Sequence, residues 1–310
     1  MREPAFKMID YLHHRLALLA SALLMALAIS GCAGTSRAEP PAESSVTLDR
    51  ALHESLPTGV RRSGVLRVAT DASYAPASAF APDGRTIVGF EPDLGAALGR
   101  VLGVRVRFTN TDFSKVLPDV AAHRTDLVMS AVTDTPERER IVDFVSYFSA
   151  GTSIVVQRGN PDGITDLAGL CGHAVAVEQG TVQVDLLARA QKQCPGPRIV
   201  VKRYGTNADA LLQLRTGRVS AVLNDYPPAS ALSTDPRTRT HFQLVSTTQY
   251  EPGPYGIAVA KDDPRLRDAV RAALGRLMRS GAYAAVLHRW NVSDGAVTTA
   301  SINAGAAQAD

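Results

Sequence analysis

Polar side chains follow five short β-branched runs in the middle of this 310-residue chain. The segments at these positions are Thr70-Asp71-Ala72-Ser73-Tyr74, Asn110-Thr111-Asp112-Phe113, Ser130-Ala131-Val132-Thr133-Asp134, Glu178-Gln179-Gly180-Thr181 and Asn224-Asp225. They offer hydroxyls, carboxylates, amides and aromatic rings where a strand interior would offer Val or Ile. In open α/β sheets, ligands bind beyond the carboxyl ends of the strands. The set therefore indicates an enclosed site for a small polar ligand.

The sequence contains no motif for a phosphate-binding, metal-binding or nucleophilic site. It shows no Gly-rich phosphate loop, no closely spaced His pair and no nucleophile elbow, and its seven His residues lie far apart. We therefore expect no cofactor and no metal ion. The net charge of +3 is small and the Arg residues are scattered, which gives no support for nucleic-acid binding.

The elements that would position the polar segments alternate between strand and helix. Predicted strands lie at 65–69, 104–108, 127–129, 153–156, 174–177, 199–201, 221–223 and 256–259. Predicted helices lie at 91–102, 113–122, 135–142, 182–193, 207–215 and 264–289. This alternation is typical of parallel sheets covered by helices, so we predict an α/β fold.

The first 31 residues are interpreted as an export signal. A cationic start precedes the apolar run from Leu16 to Ile29, which is followed by Ser30-Gly31-Cys32. Small residues before a Cys at this place are typical of a bacterial lipobox, in which Cys32 carries the lipid. The alternative is an ordinary signal peptide with an incidental Cys. With the lipobox, the protein is anchored to the cell membrane by lipid and acts on its extracytoplasmic face.

Two further features follow from an extracytoplasmic location. Residues 32–61 are predicted to be the lipid anchor and a flexible tether, and residues 293–310 a flexible tail. With Cys32 assigned to lipid, Cys171 and Cys194 are the remaining thiols, and an oxidising compartment favours a disulfide between them. Two buried free thiols are the alternative.

The order of several motifs resembles one known family. The matching segments are Gly64 to Pro76, Val88-Gly89-Phe90-Glu91-Pro92-Asp93-Leu94, Asp126 to Phe144, Val177 to Thr181, Gly217 to Asp225, Pro254 to Val259 and Lys261-Asp262-Asp263-Pro264. In this order, over residues 62 to 292, they resemble the family 3 extracellular solute-binding proteins, which are polar amino-acid receptors of ABC importers. The resemblance implies a small-molecule ligand such as an amino acid, an importer permease as partner, and a monomer.

The resemblance also implies a periplasmic-binding-protein type II fold with two lobes joined by a two-strand hinge. Its first lobe would comprise 62–152 and 253–292, and its second lobe 153–252. The chain would cross between the lobes near 148–153 and return near 250–255.

Four residues take ligand roles through this resemblance. Arg138 matches the clamp for the ligand carboxylate, and Asp225 matches the acid that receives the ligand ammonium group. Thr133 would add a hydroxyl to the carboxylate, and Ala131 a backbone carbonyl to the ammonium. Alternatives remain open, because Arg138 could pair with neighbouring Glu residues on the surface and Asp225 could cap the following turn.

The remaining candidates shape the pocket. Tyr74 and Phe113 match the walls around the ligand side chain, although Phe113 could equally belong to the core. Gly180 and Thr181 precede a helix whose free N–H groups favour an anion. Asp71, at the end of the first strand, completes the set of predicted ligand-binding residues.

One departure from the family pattern concerns the ligand. Ala77 and Ser78 stand where many members of the family carry an aromatic residue and Glu, which puts the pocket shape in doubt. Asp134 and Glu178 could favour a cationic or amide ligand, unless they only cap helices.

Two other function classes stay open. Cyclohexadienyl dehydratases also resemble this family, and Glu178 or Asp71 could serve such an enzyme as acid or base. An extracytoplasmic ligand sensor is the other alternative. We expect a receptor and no enzyme, since no motif supports turnover.

Overall fold

Short strands and amphipathic helices alternate along residues 46–305, the part of the chain that the computed structural model describes. The predicted signal peptide, Cys32 and the first part of the tether lie outside the described residues, and so does the end of the tail at 306–310. Within the described residues, no helix combines the length and apolar composition needed to cross a membrane.

The helices and strands are numbered here in chain order. The helices are α1 (Arg50–Ser55), α2 (Thr58–Ser63), α3 (Phe90–Leu102), α4 (Phe113–Ala121), α5 (Pro136–Glu139), α6 (Val182–Ala190), α7 (Asn207–Arg215), α8 (Tyr226–Thr234), α9 (Pro264–Arg279) and α10 (Ala282–Arg289). The strands are β1 (Val65–Thr70), β2 (Ser73–Tyr74), β3 (Ser78–Phe80), β4 (Ile87–Val88), β5 (Arg105–Asn110), β6 (Leu127–Val128), β7 (Val142–Gln157), β8 (Ala174–Glu178), β9 (Val200–Tyr204), β10 (Ala221–Asp225), β11 (Phe242–Leu244) and β12 (Tyr250–Ala260).

Two lobes share one sheet of nine strands in the described part of the chain. The strand order is β5-β1-β6-β12-β7-β10-β8-β9, with β11 paired to β7. Strands β5, β1 and β6 are parallel in the first lobe, and β10, β8 and β9 are parallel in the second. Antiparallel β7 and β12 belong to both lobes and pair from Val142 opposite Ala260 to Thr152 opposite Tyr250. The predicted α/β architecture of two lobes joined by two strands is confirmed.

Strand β7 is much longer than the sequence analysis predicted. Residues 135–142 were predicted to be a helix, but the helix there is the single turn α5, and the strand begins at Val142. Nearly all of β7 is buried on both faces. A strand that is covered on both faces does not alternate between polar and apolar residues. The two-residue period that predicts a strand is therefore missing from the sequence of β7.

The first-lobe core forms between helices α3 and α9 and the sheet. Helix α3 buries Leu94, Leu98 and Leu102, and α9 buries Leu266, Val270, Leu274 and Leu277. The predicted single helix at 264–289 is two helices, α9 and α10. It breaks at Gly281, whose φ of 79° lies in the left-handed region that favours glycine at a helix end.

Residues 50–63 form structure where a flexible tether was predicted, so that prediction is wrong for this stretch. Asp49 caps α1 by accepting a hydrogen bond from the N–H of Leu52 (3.2 Å), and it forms an ion pair with Arg276 of α9. Leu56, between α1 and α2, is fully buried in the first-lobe core. Leu52, Leu56 and Val60 all pack on this core and are the apolar signal that the tether prediction overlooked.

The predicted flexible tail is also wrong for residues 293–305. A 3₁₀ turn at Ser293–Gly295 leads into an antiparallel bridge between Ile302 and Val145 of β7. Asn303 donates its backbone N–H to the carbonyl of Phe144 (3.1 Å) and accepts the N–H of Phe144 through Oδ1 (2.9 Å). This part of β7 has an edge that β10 does not reach, and the segment satisfies its backbone groups.

A disulfide joins Cys171 and Cys194 in the second lobe, as the sequence analysis predicted. It ties the 3₁₀ turn at Ala168–Leu170 to the turn at Gln191–Gln193 that follows α6. Closing a loop of 23 residues contributes about 3 kcal/mol to the free energy of unfolding in the chain-entropy model.

Replacing Leu56 by Ala should lower the free energy of unfolding by about 2–5 kcal/mol, because it removes a fully buried side chain from the first-lobe core. Urea denaturation followed by circular dichroism measures this change. The matched control is Leu212→Ala, at a residue that is 42% exposed, where we expect less than about 0.5 kcal/mol. Equal effects of the two variants would show that residues 50–63 are not part of the folded lobe.

Replacing both Cys171 and Cys194 by Ser should lower the free energy of unfolding by about 2–4 kcal/mol, since the unfolded chain gains the entropy of an open loop. The same denaturation experiment, run with and without a reductant, provides the measurement. Reductant should destabilise the parent protein and leave the double variant unchanged. A parent protein that is indifferent to reductant would contradict the prediction.

Candidate functional site

A pocket lies between the two lobes, where the polar ends of β1, β6, β8 and β10 converge. Its lining comes from both lobes: Asp71, Tyr74, Phe113, Ser130, Ala131, Thr133, Arg138, Glu178, Thr181, Val182, Gln183 and Asp225. Eight of the nine residues predicted to bind ligand are in this lining. The ninth, Gly180, contacts the pocket through its carbonyl, which accepts a hydrogen bond from Arg138. The structure thus brings the predicted residues together.

Arg138 projects from the single turn of α5 into the pocket. Thr135 caps this turn, its hydroxyl accepting the N–H of Arg138 (3.3 Å), and Pro136 starts the helix. The guanidinium donates to the carbonyl of Thr133 (2.6 Å) and, across the cleft, to the carbonyl of Gly180 (2.9 Å). Burial lowers the pKa of Arg138 to about 10, so the group remains a cation at neutral pH.

Phe113 and Arg138 stack in the first-lobe half of the pocket. The guanidinium carbon lies 5.9 Å from the centre of the Phe113 ring, within the range of a cation–π contact. Phe113 also packs on the core cluster that contains Val116 and Val120. The ring therefore has both roles that the sequence left open, as part of the pocket lining and as part of the core.

Asp225 ends β10 on the opposite side of the cleft. Its Oδ1 accepts a hydrogen bond from Gln183 Nε2 (2.7 Å), and its Oδ2 accepts one from the hydroxyl of Tyr74 in the first lobe (3.2 Å). The backbone N–H of Asp225 donates to the same hydroxyl (2.8 Å). Its side chain does not cap α8, which removes the capping alternative. Burial raises the pKa of Asp225 to about 6 against the opposing effect of these hydrogen bonds.

Asp71 and Glu178 form a second acidic feature, with one carboxyl group from each lobe. Asp71 follows β1 and Glu178 ends β8, and both are buried, with 4% and 6% of their surface exposed. The Oδ1 of Asp71 accepts the N–H of Ser73 (2.8 Å). Burial is the main cause that raises the pKa of Glu178 to about 9, and the charge and hydrogen bond of Asp71 add to it.

Ala131 is held in an unusual backbone conformation at the floor of the pocket. Its φ is 48°, and its N–H donates to Oε1 of Glu91 (2.6 Å). Glu91 is fully buried and also accepts hydrogen bonds from the hydroxyls of Ser78 and Tyr147. Burial raises the pKa of Glu91, whereas its hydrogen-bond donors lower it. These bonds fix the Ala131 peptide, whose carbonyl is the predicted partner of a ligand ammonium group.

Three of the residues discussed for ligand choice lie away from the pocket. Asp134 is buried against Glu139 and the segment that ends at Gly305, and burial raises its pKa to about 7. It does not line the pocket, so the suggestion that it favours a cationic ligand is wrong. Ala77 and Ser78 do not line it either, since the Ser78 hydroxyl is bonded to Glu91.

Sequence reasoning missed Gln183, Ser130, Val182 and the supporting Glu91. Gln183 is buried and orients Asp225, and Ser130 accepts the N–H of Asp71 on its hydroxyl (2.8 Å). Gln183 lies in the first turn of α6, two residues beyond Thr181, a position that could have suggested it. Glu91 stood within a quoted motif, but its role depends on contacts with residues distant in sequence.

Metal binding finds no support in residues 46–305, which hold no group of three or more His, Cys, Asp or Glu side chains placed to bind an ion. What the pocket offers is one guanidinium, three carboxyl groups, hydroxyls and helix N–H groups. These groups match the charges of a small ligand that carries both signs. The cavity that they enclose measures about 20 Å³, so the lobes must open to admit a ligand.

Comparison with known proteins gives a consistent result. The family model described as bacterial extracellular solute-binding proteins, family 3, matches residues 66–293. The L-arginine-binding protein of Pseudomonas aeruginosa is 31% identical over 236 residues, which cover 74% of this chain and 88% of that protein.

Two solved structures extend the comparison. An ancestral arginine-binding protein with bound arginine is 33% identical over 73% of this chain and 98% of its own, with a TM-score of 0.68. An ancestral amino-acid-binding protein, a precursor of cyclohexadienyl dehydratase, is 30% identical over 77% of this chain and 99% of its own, with a TM-score of 0.67.

The matched region contains the hinge strands and every residue that lines the pocket. The curated and solved relatives are similar to this chain along almost their whole length. This chain therefore belongs to the bacterial extracellular solute-binding proteins of family 3.

Proposed function

We propose that the protein is a lipid-anchored extracytoplasmic receptor that closes its two lobes around a free amino acid with a cationic side chain and delivers it to an ABC-type importer. The observation that carries the proposal is the pairing of Arg138 and Asp225. They are opposite charges from different lobes, and both line one buried pocket.

The two charged ends of an amino acid match this pair. Arg138 would bind the α-carboxylate with its planar guanidinium, and the hydroxyl of Thr133 would add a further donor. Asp225 would accept the α-ammonium group, assisted by the carbonyl of Ala131. The N–H groups at the start of α6, next to Thr181, also favour the α-carboxylate of the ligand.

The charge balance of the pocket favours a cationic side chain. Its lining holds the carboxyl groups of Asp71, Glu178 and Asp225 but a single guanidinium. The two α-groups of an amino acid would pair with Arg138 and Asp225. They would leave Asp71 and Glu178 without a cationic partner. The L-arginine-binding protein of Pseudomonas aeruginosa and the ancestral arginine-binding protein supply the first ligand to test, L-arginine.

Ligand binding would be coupled to closure because the pocket is built from both lobes. Hydrogen bonds now cross the cleft at the charged residues, in both directions between Tyr74 and Asp225 and from Arg138 to Gly180. A ligand that contacts Arg138 and Asp225 together has more contacts in the closed form than in the open form, which is the requirement for shifting the equilibrium between them. The proposed partner of the closed form is the importer permease.

A lyase is the second candidate, and one observation favours it. Glu178 is a desolvated carboxyl group with a pKa of about 9, so it could donate a proton at neutral pH. One solved neighbour is a precursor of cyclohexadienyl dehydratase. We favour the receptor because that neighbour is itself an amino-acid-binding protein and because Arg138 and Asp225 match a ligand with two charged ends.

L-Arginine should bind to the purified protein, and Arg138→Ala and Asp225→Ala should each weaken binding by about 2–5 kcal/mol, because each leaves a desolvated ligand charge unpaired. Isothermal titration calorimetry measures the affinities, after a thermal-shift screen of the amino acids. Matched controls are Arg140→Ala and Asp162→Ala at exposed residues, which should bind like the parent.

Two outcomes would contradict this prediction. Binding by both site variants within a factor of three of the parent would show that the pocket is not the ligand site. Conversion of the bound compound during long incubation, detected by mass spectrometry, would favour the lyase over the receptor.

Cys32→Ser should release the protein from the membrane or leave it unprocessed, because the proposed anchor requires the thiol of Cys32. The proposal rests on the apolar run before Ser30-Gly31-Cys32. Fractionation of cells and mass spectrometry of the mature N-terminus provide the measurements, with Ser36→Ala, four residues beyond Cys32, as control. Normal processing and membrane retention of the Cys32 variant would show that the lipid is not attached there.

A further inference from the structure

Two carboxyl groups from opposite lobes meet in the closed pocket. Asp71 and Glu178 are each more than nine-tenths buried and both line the same pocket, and the proximity of Asp71 contributes to raising the pKa of Glu178. The Oε1 atom of Glu178 is buried and finds no hydrogen-bond partner within the part of the chain that the structure describes. Burial and the neighbouring Asp71 both disfavour the ionised form of Glu178, so Glu178 holds a proton at neutral pH in the unliganded pocket.

The groups around the pair do not remove the need for this proton. Asp225 adds negative charge toward Glu178, and the Tyr74 hydroxyl also interacts with it. From α7, the backbone N–H of Asn207 is a hydrogen-bond donor to Glu178, but it carries no charge.

The cation in the pocket lining, Arg138, is engaged elsewhere. Its guanidinium is bonded to the carbonyls of Thr133 and Gly180 and opposes Asp225. The Asp71–Glu178 pair is therefore left with a proton as its source of positive charge.

We propose that the cationic side chain of the ligand binds between Asp71 and Glu178 and replaces the proton on Glu178, so that capture of a basic amino acid releases a proton from the protein. This inference rests on the proposed function as an amino-acid receptor. A guanidinium or ammonium group supplies donors and a positive charge to both carboxylates at once.

The size of the effect follows from the charges. An opposite charge at 4–6 Å favours the ionised form of a carboxyl group by roughly 10- to 1000-fold. The unliganded pair, with a pKa of about 9 at Glu178, holds its proton at pH 7.5. Over most of this 10- to 1000-fold range, a ligand cation at 4–6 Å would lower the pKa of Glu178 below 7.5. The proton would then leave to the solvent.

A neutral ligand gives no such release. L-Citrulline has the same α-groups and nearly the same shape as L-arginine, but a neutral urea group replaces the guanidinium. Its binding would leave the proton on the pair. The affinity for arginine should rise with pH between about 7.5 and 8.5, where Asp225 is already ionised, while the affinity for citrulline should not.

Calorimetry in buffers of different ionisation enthalpy tests the proposal at pH 7.5, where Asp225, with a pKa of about 6, is already ionised. The slope of observed enthalpy against buffer ionisation enthalpy counts the protons released. We expect about 0.5–1 proton for L-arginine on the parent protein. We expect less than about 0.2 for L-citrulline, and the same low value for L-arginine on Glu178→Gln, which has no proton to lose.

Each outcome decides something different. Arginine binding without proton release, or equal release for arginine and citrulline, overturns the exchange while leaving the receptor function in place. Undiminished release by a folded Glu178→Gln variant overturns the role of this residue. If that variant does not fold, the comparison of arginine with citrulline on the parent decides alone. If neither ligand binds, the proposed function fails and the exchange fails with it.

Discussion

Ionisable groups in the interlobe pocket depend on partners that the opposite lobe supplies. Arg138 of the first lobe donates to the carbonyl of Gly180, and Asp225 of the second lobe accepts from Tyr74. Glu178 of the second lobe interacts with Asp71 of the first. Because burying an unpaired charge is strongly unfavourable, closing the lobes requires such partners, whereas an open cleft would let water replace them. A ligand that offers better partners than the protein's own groups therefore favours closure.

This requirement explains why the pocket is placed on rigid elements. Asp71, Glu178 and Asp225 lie at the ends of parallel strands, where the sheet fixes their backbone. Glu91 extends the rigidity to the Ala131 loop and, through the Tyr147 hydroxyl, to the hinge strand β7. One buried carboxylate thus connects the floor of the pocket with the strand along which the lobes join. The hinge strand and the Ala131 peptide are thus linked through a single side chain.

The sequence was sufficient for the order of the elements and for the residues at strand ends, because both depend on local patterns. Eight of the nine predicted ligand residues line the pocket, since β1 and β6 of the first lobe and β8 and β10 of the second run in opposite directions and their carboxyl ends face each other across the cleft. Features that depend on distant contacts were missed. The length of β7 was hidden by burial on both faces, and the packing of 50–63 and 293–305 depends on partners far away in the chain. The contact of Glu178 with Asp71 requires two segments about a hundred residues apart to meet.

Affinity and selectivity would then arise from different residues. In the proposed complex Arg138 and Asp225 bind the α-carboxylate and the α-ammonium group, which all free amino acids share, so they would not distinguish one amino acid from another. Selection among amino acids would depend on the pocket groups next to the ligand side chain. Asp71 and Glu178 are the charged residues proposed for that part of the pocket. In the proposed exchange, a ligand without a positive side chain leaves the proton on Glu178 and adds no new partner to the pair. A basic amino acid supplies the pair with a cation in a pocket of low dielectric constant, where charge interactions are strongest. Discrimination by charge at this pair also explains how a pocket enclosed by few large apolar side chains could select among ligands of similar size.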